Sequence, residues 1–281
     1  MSIKNLEPNG LWKNFYELTQ IPRPSKKEEK VVAFLKQFGE NLGLETIVDK
    51  VGNVIIRKPA TPGYEDRMGV VLQAHVDMVP QKNSDKVHDF EKDPIETRIE
   101  DGWVKANGTT LGADNGVGAA AAMAVLEATD LVHGPIEGLF TIDEETGMTG
   151  ANALEPGVLK GDILINMDSE TEGELYVGCA GGIDTCGYFT PKFEDVPAGS
   201  KAFQLIVKGL KGGHSGMDII LGRANANKVM NALLLKATEE YDARVADIQG
   251  GSLRNAIPRE SFVTITVPEA KAEELVAYVP V

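Results

Sequence analysis

The sequence predicts an α/β fold: a mostly parallel sheet flanked by helices, followed by an incomplete α+β layer of ferredoxin-like order. Three observations carry this. Strand-like apolar runs alternate with helix-like stretches over residues 10–168, the pattern of parallel strands joined by helical crossovers. The run at 70–74 is almost continuously apolar, as expected of a strand buried on both faces, and 135–142 reads as the next buried strand. Beyond residue 200 the order changes to strand, helix, strand, strand, helix, and the last strand of a ferredoxin-like unit does not follow.

Residues 10–20 read as a short helix, ended by Ile21-Pro22-Arg23-Pro24 because proline disfavours helix in the residue before it. Ser25-Lys26-Lys27-Glu28 has the form of a capping box and predicts a second helix beginning at Ser25. Val31, Val32, Phe34, Leu35, Phe38 and Leu42 then recur at helical spacing, and Gly43 stops the run, so this face is expected to pack on the sheet. Residues 46–48 and 53–57 are strands joined through Gly52, and 70–74 is a buried strand. Residues 80–105 form a polar excursion with a hairpin around Asp101-Gly102, to which no chemistry is assigned. An alanine-rich helix spans 117–127, a strand 135–142, a further helix starts within 148–154, and a strand over 162–167 ends at Asp168. After the loop-rich passage 179–200 come a strand at 202–207, a helix at 223–239, strands at 245–250 and 262–267, and a helix at 269–279.

The chain has 281 residues, enough for two domains, and its 42% hydrophobic content is that of a globular protein. A formal charge of -14 and a pI near 4.8 disfavour nucleic acid or an anionic membrane as partner and suit a soluble or cation-binding protein. No apolar run approaches the roughly 20 residues of a membrane span, and no basic-then-apolar leader opens the chain. A cytoplasmic location is the expectation. Cys179 and Cys186 are too few for a disulfide framework and read as free thiols.

Four apolar runs end in groups able to bind a metal: His75 and Asp77 after the strand at 70–74, Asp114 in a glycine-studded turn, Asp143-Glu144-Glu145 after the strand at 135–142, and Asp168. Taken one at a time, each has a plain reading. His75 and Asp77 pass for a core histidine beside a surface aspartate, Asp114 for a helix cap, and the three acids and Asp168 for solvated loops. Taken together they suggest one shared site. Asp77 stands two positions from His75 in an extended segment, so it can hold one imidazole nitrogen while the other meets a metal. Glu144 and Glu145 point in opposed directions if the strand continues, one toward a metal and the other toward substrate and water. A mixed nitrogen and oxygen set suits zinc, with manganese or cobalt as lesser options, and a carboxylate shared by two ions would make a two-metal hydrolytic centre. His214, in Gly212-Gly213-His214-Ser215-Gly216, is a loop residue of the second domain, and His88 and His133 read as surface residues.

Ile21-Pro22-Arg23-Pro24-Ser25, Gln73-Ala74-His75-Val76-Asp77-Met78, Gly112-Ala113-Asp114-Asn115-Gly116, Asp143-Glu144-Glu145-Thr146-Gly147, Asn166-Met167-Asp168-Ser169-Glu170 and Gly212-Gly213-His214-Ser215-Gly216 together resemble the two-zinc exopeptidases that include carboxypeptidase G and acetylornithine deacetylase. Within that family the likeness is to the dipeptidases that cleave Xaa-His dipeptides, and it runs the length of the chain. The resemblance implies two zinc ions per site, with His75, Asp114 and Asp168 on one, Asp114 as the bridge and Glu145 on the second. It makes Glu144 the general base and Asp77 the residue that orients His75. His214 would help polarise the substrate carbonyl, Asn255 would contact substrate, and the lid would form a homodimer. Residues 1–184 would then be the N-terminal part of the catalytic domain and 185–281 a partial lid and dimerisation domain. In one respect the chain departs from the family, which returns from the lid to supply a final histidine to the second zinc. All four histidines here precede Pro258. The expectation is a C-terminally shortened enzyme with apolar surface left open and metal affinity and activity reduced or lost. Other dipeptides or N-acyl amino acids as substrates, or a non-catalytic metal-binding fragment, are the alternatives.

Overall fold

The computed structural model describes residues 2–178 and 185–279, and Cys179 lies outside them. The chain divides into two compact units, Met1–Gly181 and Gly182–Val281.

In the first unit, α1 (Asn9–Thr19) and α2 (Glu29–Asn41) precede a hairpin of β1 (Glu45–Val48) and β2 (Val54–Lys58), which turns through Gly52 at φ 113°. There follow β3 (Val70–His75), a hairpin of β4 (Thr97–Glu100) and β5 (Trp103–Ala106), α3 (Ala113–Glu127), β6 (Ile136–Thr141), two single-turn helices α4 (Glu144–Gly147) and α5 (Thr149–Asn152), and β7 (Ile163–Asn166). The five-stranded sheet has the order β1-β2-β6-β3-β7. It is mixed. The strands β6, β3 and β7 run parallel, whereas β2 pairs antiparallel with both β1 and β6. A tight connection between β1 and β2 allows only antiparallel pairing, since a parallel pair needs a long crossover.

The parallel register aims the chemistry. His75 lies opposite Thr141, and Gln73 opposite Asn166. Residues 75–77, 143–145 and 168 therefore leave the sheet at one end, the carboxyl end where ligands gather in α/β sheets. All six residues of β6 are buried, and Val31 and Leu35 of α2 are wholly buried in the same core as Phe15, Leu18, Ala74, Met123 and Phe140. Truncating Leu35 to alanine is expected to cost about 2–5 kcal/mol of stability, read from chemical denaturation. β7 is an edge strand, with Ile163, Leu164 and Ile165 at 41%, 53% and 47% exposure, so apolar surface is open there.

Three local expectations are corrected. The helix α2 begins at Glu29 rather than Ser25 and has no side-chain cap, because Lys26 sits at φ 69° and the Ser25 and Glu28 side chains bond elsewhere. The strand β6 does not continue through the acids: Asp143 turns the chain at φ 48° into α4. His88 is buried, its ring edge-on to Phe90 at 4.5 Å, rather than at the surface.

The second unit is built on β8 (Ser200–Val207), β9 (Gly213–His214), α6 (Ala226–Glu240), β10 (Arg244–Gly250), β11 (Ala256–Ile257), β12 (Ser261–Pro268) and α7 (Ala272–Tyr278). Its sheet has the order β10-β12-β8, antiparallel throughout, and Leu205, Met230, Leu234, Val263, Ile265 and Leu275 form its core. α6 starts at a true cap, where the Asn225 side chain accepts the N–H groups of Asn227 and Lys228. Cys186 is an exposed free thiol.

Candidate metal centre

His75 closes β3 and is 1% exposed, so its ring cannot rely on water for its hydrogen bonds. Its Nδ1 lies 3.2 Å from Asp77 Oδ1. That leaves Nε2 toward Asp114 Oδ1 at 3.0 Å, Asp168 Oδ1 at 3.6 Å and Glu144 Oε2 at 3.9 Å. One donor atom each from His75, Asp114 and Asp168 fall within 4.8 Å of one another, a spacing that one ion can span. The donors suit zinc: an imidazole with its second nitrogen held by a carboxylate, and oxygen ligands around the first.

The Asp77 carboxylate is fully buried and saturated. Besides His75 it accepts the Ser25 hydroxyl at 2.8 Å and the N–H groups of Glu144 at 3.0 Å and Glu145 at 3.2 Å. Burial works against its charge, but the hydrogen bond and charge of His75, with the N–H of Glu144 and the Ser25 hydroxyl, hold its pKa below the ordinary value. Asp77 thus orients the imidazole and also anchors the turn that carries both glutamates.

Asp114 stands at the head of α3 in non-helical conformation, φ −83° and ψ 110°. Asn115 beside it is also non-helical, at φ −108° and ψ 37°, so the helix is kinked at the residue that carries the carboxylate. Glu144 and Glu145 share the first turn of α4, and Glu144 brings its carboxylate to 3.9 Å from His75 Nε2. Glu145 is tied to the cluster by charge: burial first, then Asp114, raises its pKa to about 8. Burial also raises Asp168, to about 7, with the charge of His75 opposing and that of Asp114 adding. For His75 burial disfavours the charged ring, yet the hydrogen bonds to Asp114 and Asp77 and the charge of Asp168 outweigh it and lift the pKa to about 10. These directions describe acids crowded around a single imidazolium.

A second group, Glu28, Asp77 and Asp143, has carboxylate oxygens equally close and wholly buried. Protein donors fill it: Glu28 accepts the N–H groups of Lys26 and Asp143, and Asp143 accepts the hydroxyls of Thr146 and Thr149. It is an internal support for the acidic turn. Sequence pattern reads Ser25 and Glu28 as a capping box and assigns no role to Arg23, although all three lie in or beside the Ile21-Pro22-Arg23-Pro24-Ser25 motif.

His214 and Asn255 belong to the second unit and are neighbours there. His214 pairs with Ala256 in the β9–β11 ladder, and Ser215 donates to the Asn255 carbonyl at 2.8 Å. His214 Nδ1 accepts the N–H groups of Gly216 and Met217 at 3.1 and 3.3 Å. In the neutral ring the proton is therefore on Nε2, which makes that exposed edge a donor.

Comparison with known proteins gives the family and the fold. Residues 71–256 match the family described as peptidase family M20/M25/M40. The cytosol non-specific dipeptidase of Escherichia coli K12 is 53% identical over 273 residues, covering 97% of this chain and 56% of that protein. The crystal structure of aminoacylhistidine dipeptidase from Vibrio alginolyticus superposes with a TM-score of 0.64 at 52% identity, covering 99% of this chain and 56% of that one. A tripeptidase from Staphylococcus aureus, at 20% identity and a TM-score of 0.50, shares the fold. The chain spans 56% of the length of the first two relatives. With the match covering most of its length, the chain belongs to peptidase family M20/M25/M40.

Proposed function

We propose that the chain carries the metal centre of a dipeptidase whose preferred substrates are Xaa-His dipeptides. The observation that carries the reading is the meeting of His75, Asp114 and Asp168 at one end of the sheet with the Glu144 carboxylate 3.9 Å from His75 Nε2. The name of the Vibrio relative supplies the Xaa-His class, and that of the E. coli relative supplies dipeptides in general. His75, Asp114 and Asp168 would hold one zinc ion and Asp114 and Glu145 a second, with manganese or cobalt able to replace them. When bound, such ions polarise a peptide carbonyl and lower the pKa of water.

The remaining work falls to side chains. Asp77 fixes the imidazole tautomer by holding Nδ1. Glu144 takes the proton of the attacking water and returns it to the leaving amine, as a carboxylate beside a ligand can. The family resemblance gives His214, with Nε2 as its donor, the task of polarising a substrate carbonyl and gives Asn255 a substrate contact. The acidic surface argues against nucleic acid and membrane partners, and among the described residues no helix is long and apolar enough to cross a membrane. The family resemblance adds a homodimer through the second unit, and the E. coli relative's name a cytosolic setting.

The test is a panel of Xaa-His dipeptides, other dipeptides and N-acetylated amino acids assayed with the zinc-loaded chain. Xaa-His dipeptides are expected to show kcat/KM at least about tenfold above the acetylated amino acids, a difference of about 1.4 kcal/mol in transition-state binding. Equal rates on all dipeptides would favour the broader specificity that the E. coli relative's name describes. Hydrolysis of none, with Glu144→Gln indistinguishable from wild type, would leave a metal-binding chain without catalysis.

A further inference from the structure

Of the four loops that bring donors to the centre, three are tied to one short segment that supplies no donor itself. Arg23 is 1% exposed, and its hydrogen bonds go to main-chain carbonyls: Nη1 to Val76 at 2.8 Å and Asp77 at 3.2 Å, Nη2 to Gly112 at 2.6 Å. One guanidinium thus joins the loop that follows His75 to the loop that precedes Asp114. Main-chain bonds add to the first tie, from Met78 N–H to the Arg23 carbonyl at 3.1 Å and from Ser25 N–H to the Met78 carbonyl at 3.3 Å. The Ser25 hydroxyl then reaches Asp77 at 2.8 Å. Glu28 secures the third loop, accepting the N–H of Asp143 at 3.1 Å directly before the two glutamates.

We infer that the segment from Arg23 to Glu28 is a brace that assembles the metal centre, with Arg23, Ser25 and Glu28 as positioning residues for His75, Asp114 and the acidic turn. The inference rests on the metal-centre reading above.

The fit around Arg23 supports it. A Cβ added at Gly112 or Gly116 would lie 2.6 Å from Nη2, and Gly112 is at φ 69°, so the turn before Asp114 is shaped to admit the guanidinium. The Nε of Arg23 is buried with no hydrogen-bond partner, an arrangement that costs stability and that a packed apolar side chain would avoid. Its placement is accounted for by what it fixes. Only a planar, forked donor reaches both loops at once, which a lysine cannot do. Burial lowers its pKa to about 10, against the raising charges of Asp77, Asp114 and Glu145, so it stays cationic at neutral pH behind a cluster of acids. Ser25 and Glu28 work through hydrogen bonds that an alanine removes and, for Glu28, that a glutamine keeps, since its amide oxygen still accepts.

The experiment titrates Co2+ into the full chain and into Arg23→Lys, Ser25→Ala, Glu28→Ala and Glu28→Gln, following the visible absorption of the bound ion. Circular dichroism of each metal-free protein checks the fold, and amide exchange of residues 143–145 is read in parallel. Glu28→Ala and Arg23→Lys are expected to weaken Co2+ binding by about 10- to 100-fold, the range typical of residues that support metal ligands. They should also alter the absorption bands, and Glu28→Ala should speed exchange at Asp143. Glu28→Gln is expected to restore affinity, bands and protection, which a loss of general stability would not predict. Should Arg23→Lys fail to fold, the Glu28 pair carries the same decision. Wild-type binding with unchanged affinity and bands in the folded variants would overturn the brace alone. No Co2+ binding by the wild-type chain would overturn the metal centre, and the brace with it.

Discussion

Glu144→Gln is expected to lower dipeptide kcat by about a hundred- to ten-thousand-fold, the range of a lost general base, while KM and metal affinity change little. The amide keeps the size and hydrogen-bonding reach of the carboxylate but cannot take a proton from water. Three features of the structure favour Glu144 for that task. Its N–H is pinned to Asp77, so the side chain starts from a fixed point. Its carboxylate lies 3.9 Å from His75 Nε2, beside the ligand cluster, and is 36% exposed, so water can reach it. Glu145, by contrast, has its pKa raised to about 8 by burial and then by the charge of Asp114, the residue assigned as the bridge. Glu145→Gln should therefore weaken metal binding first and turnover as a result. Measured side by side, metal affinity and kcat separate the two roles. A Glu144→Gln variant that loses metal in proportion to activity would exchange the assignments of the two neighbours.

What the sequence conveyed and what it withheld follow from the range of the interactions concerned. The convergence of His75, Asp114 and Asp168 was legible because parallel strands end on one side of a sheet, and apolar runs that stop in acids or histidine mark those ends. The Asp101-Gly102 hairpin was legible for a local reason, as both residues adopt positive φ there, 54° and 78°. The Ser25 to Glu28 pattern misled because a capping box and a long-range brace use the same side chains. Nothing in four residues tells whether a serine hydroxyl will meet an amide of its own helix or a carboxylate 52 positions away, as it does here. The same holds at Asp143, where the sequence left open whether the strand continues. Asp77 captures the N–H groups of Glu144 and Glu145, and that distant carboxylate turns the chain into α4. The antiparallel hairpin of β1 and β2 was visible as two strands around Gly52, but their pairing with β6, which makes the sheet mixed, depends on contacts across more than the hairpin.

Metal affinity is expected to rise steeply with pH, because a cation and protons compete for the same atoms. In the metal-free chain His75 holds its proton to about 10, Glu145 to about 8 and Asp168 to about 7. Above about 8 one proton, on His75, has to leave for the ion that His75 binds, and none for the ion on Asp114 and Glu145. Below about 7 all three have to leave, so each unit of acidification weakens binding further. Between pH 9 and pH 6 the loss should be at least about a thousandfold. Calorimetry in buffers of different ionisation enthalpy would count the released protons directly, and a proton count near zero at pH 6.5 would contradict the proposed ligand set. Stability follows the same linkage with a definite sign. All three pKa values are raised above their ordinary 6.5, 4.5 and 3.8, so folding takes up protons at these groups. Their contribution to stability is fully present below those ordinary values and is lost as pH rises through about 7, 8 and 10. The metal-free chain should therefore lose thermal stability from this cluster as pH rises from mildly acidic to alkaline. Saturating zinc should reverse the trend, since the ion replaces the protons as the positive charge among Asp114, Glu145 and Asp168. Thermal midpoints with and without zinc at pH 6 and pH 9 decide it, the zinc-induced increase being larger at pH 9. Asp114→Asn, which removes the proposed bridging charge, should flatten both the proton count and that pH-dependent increase.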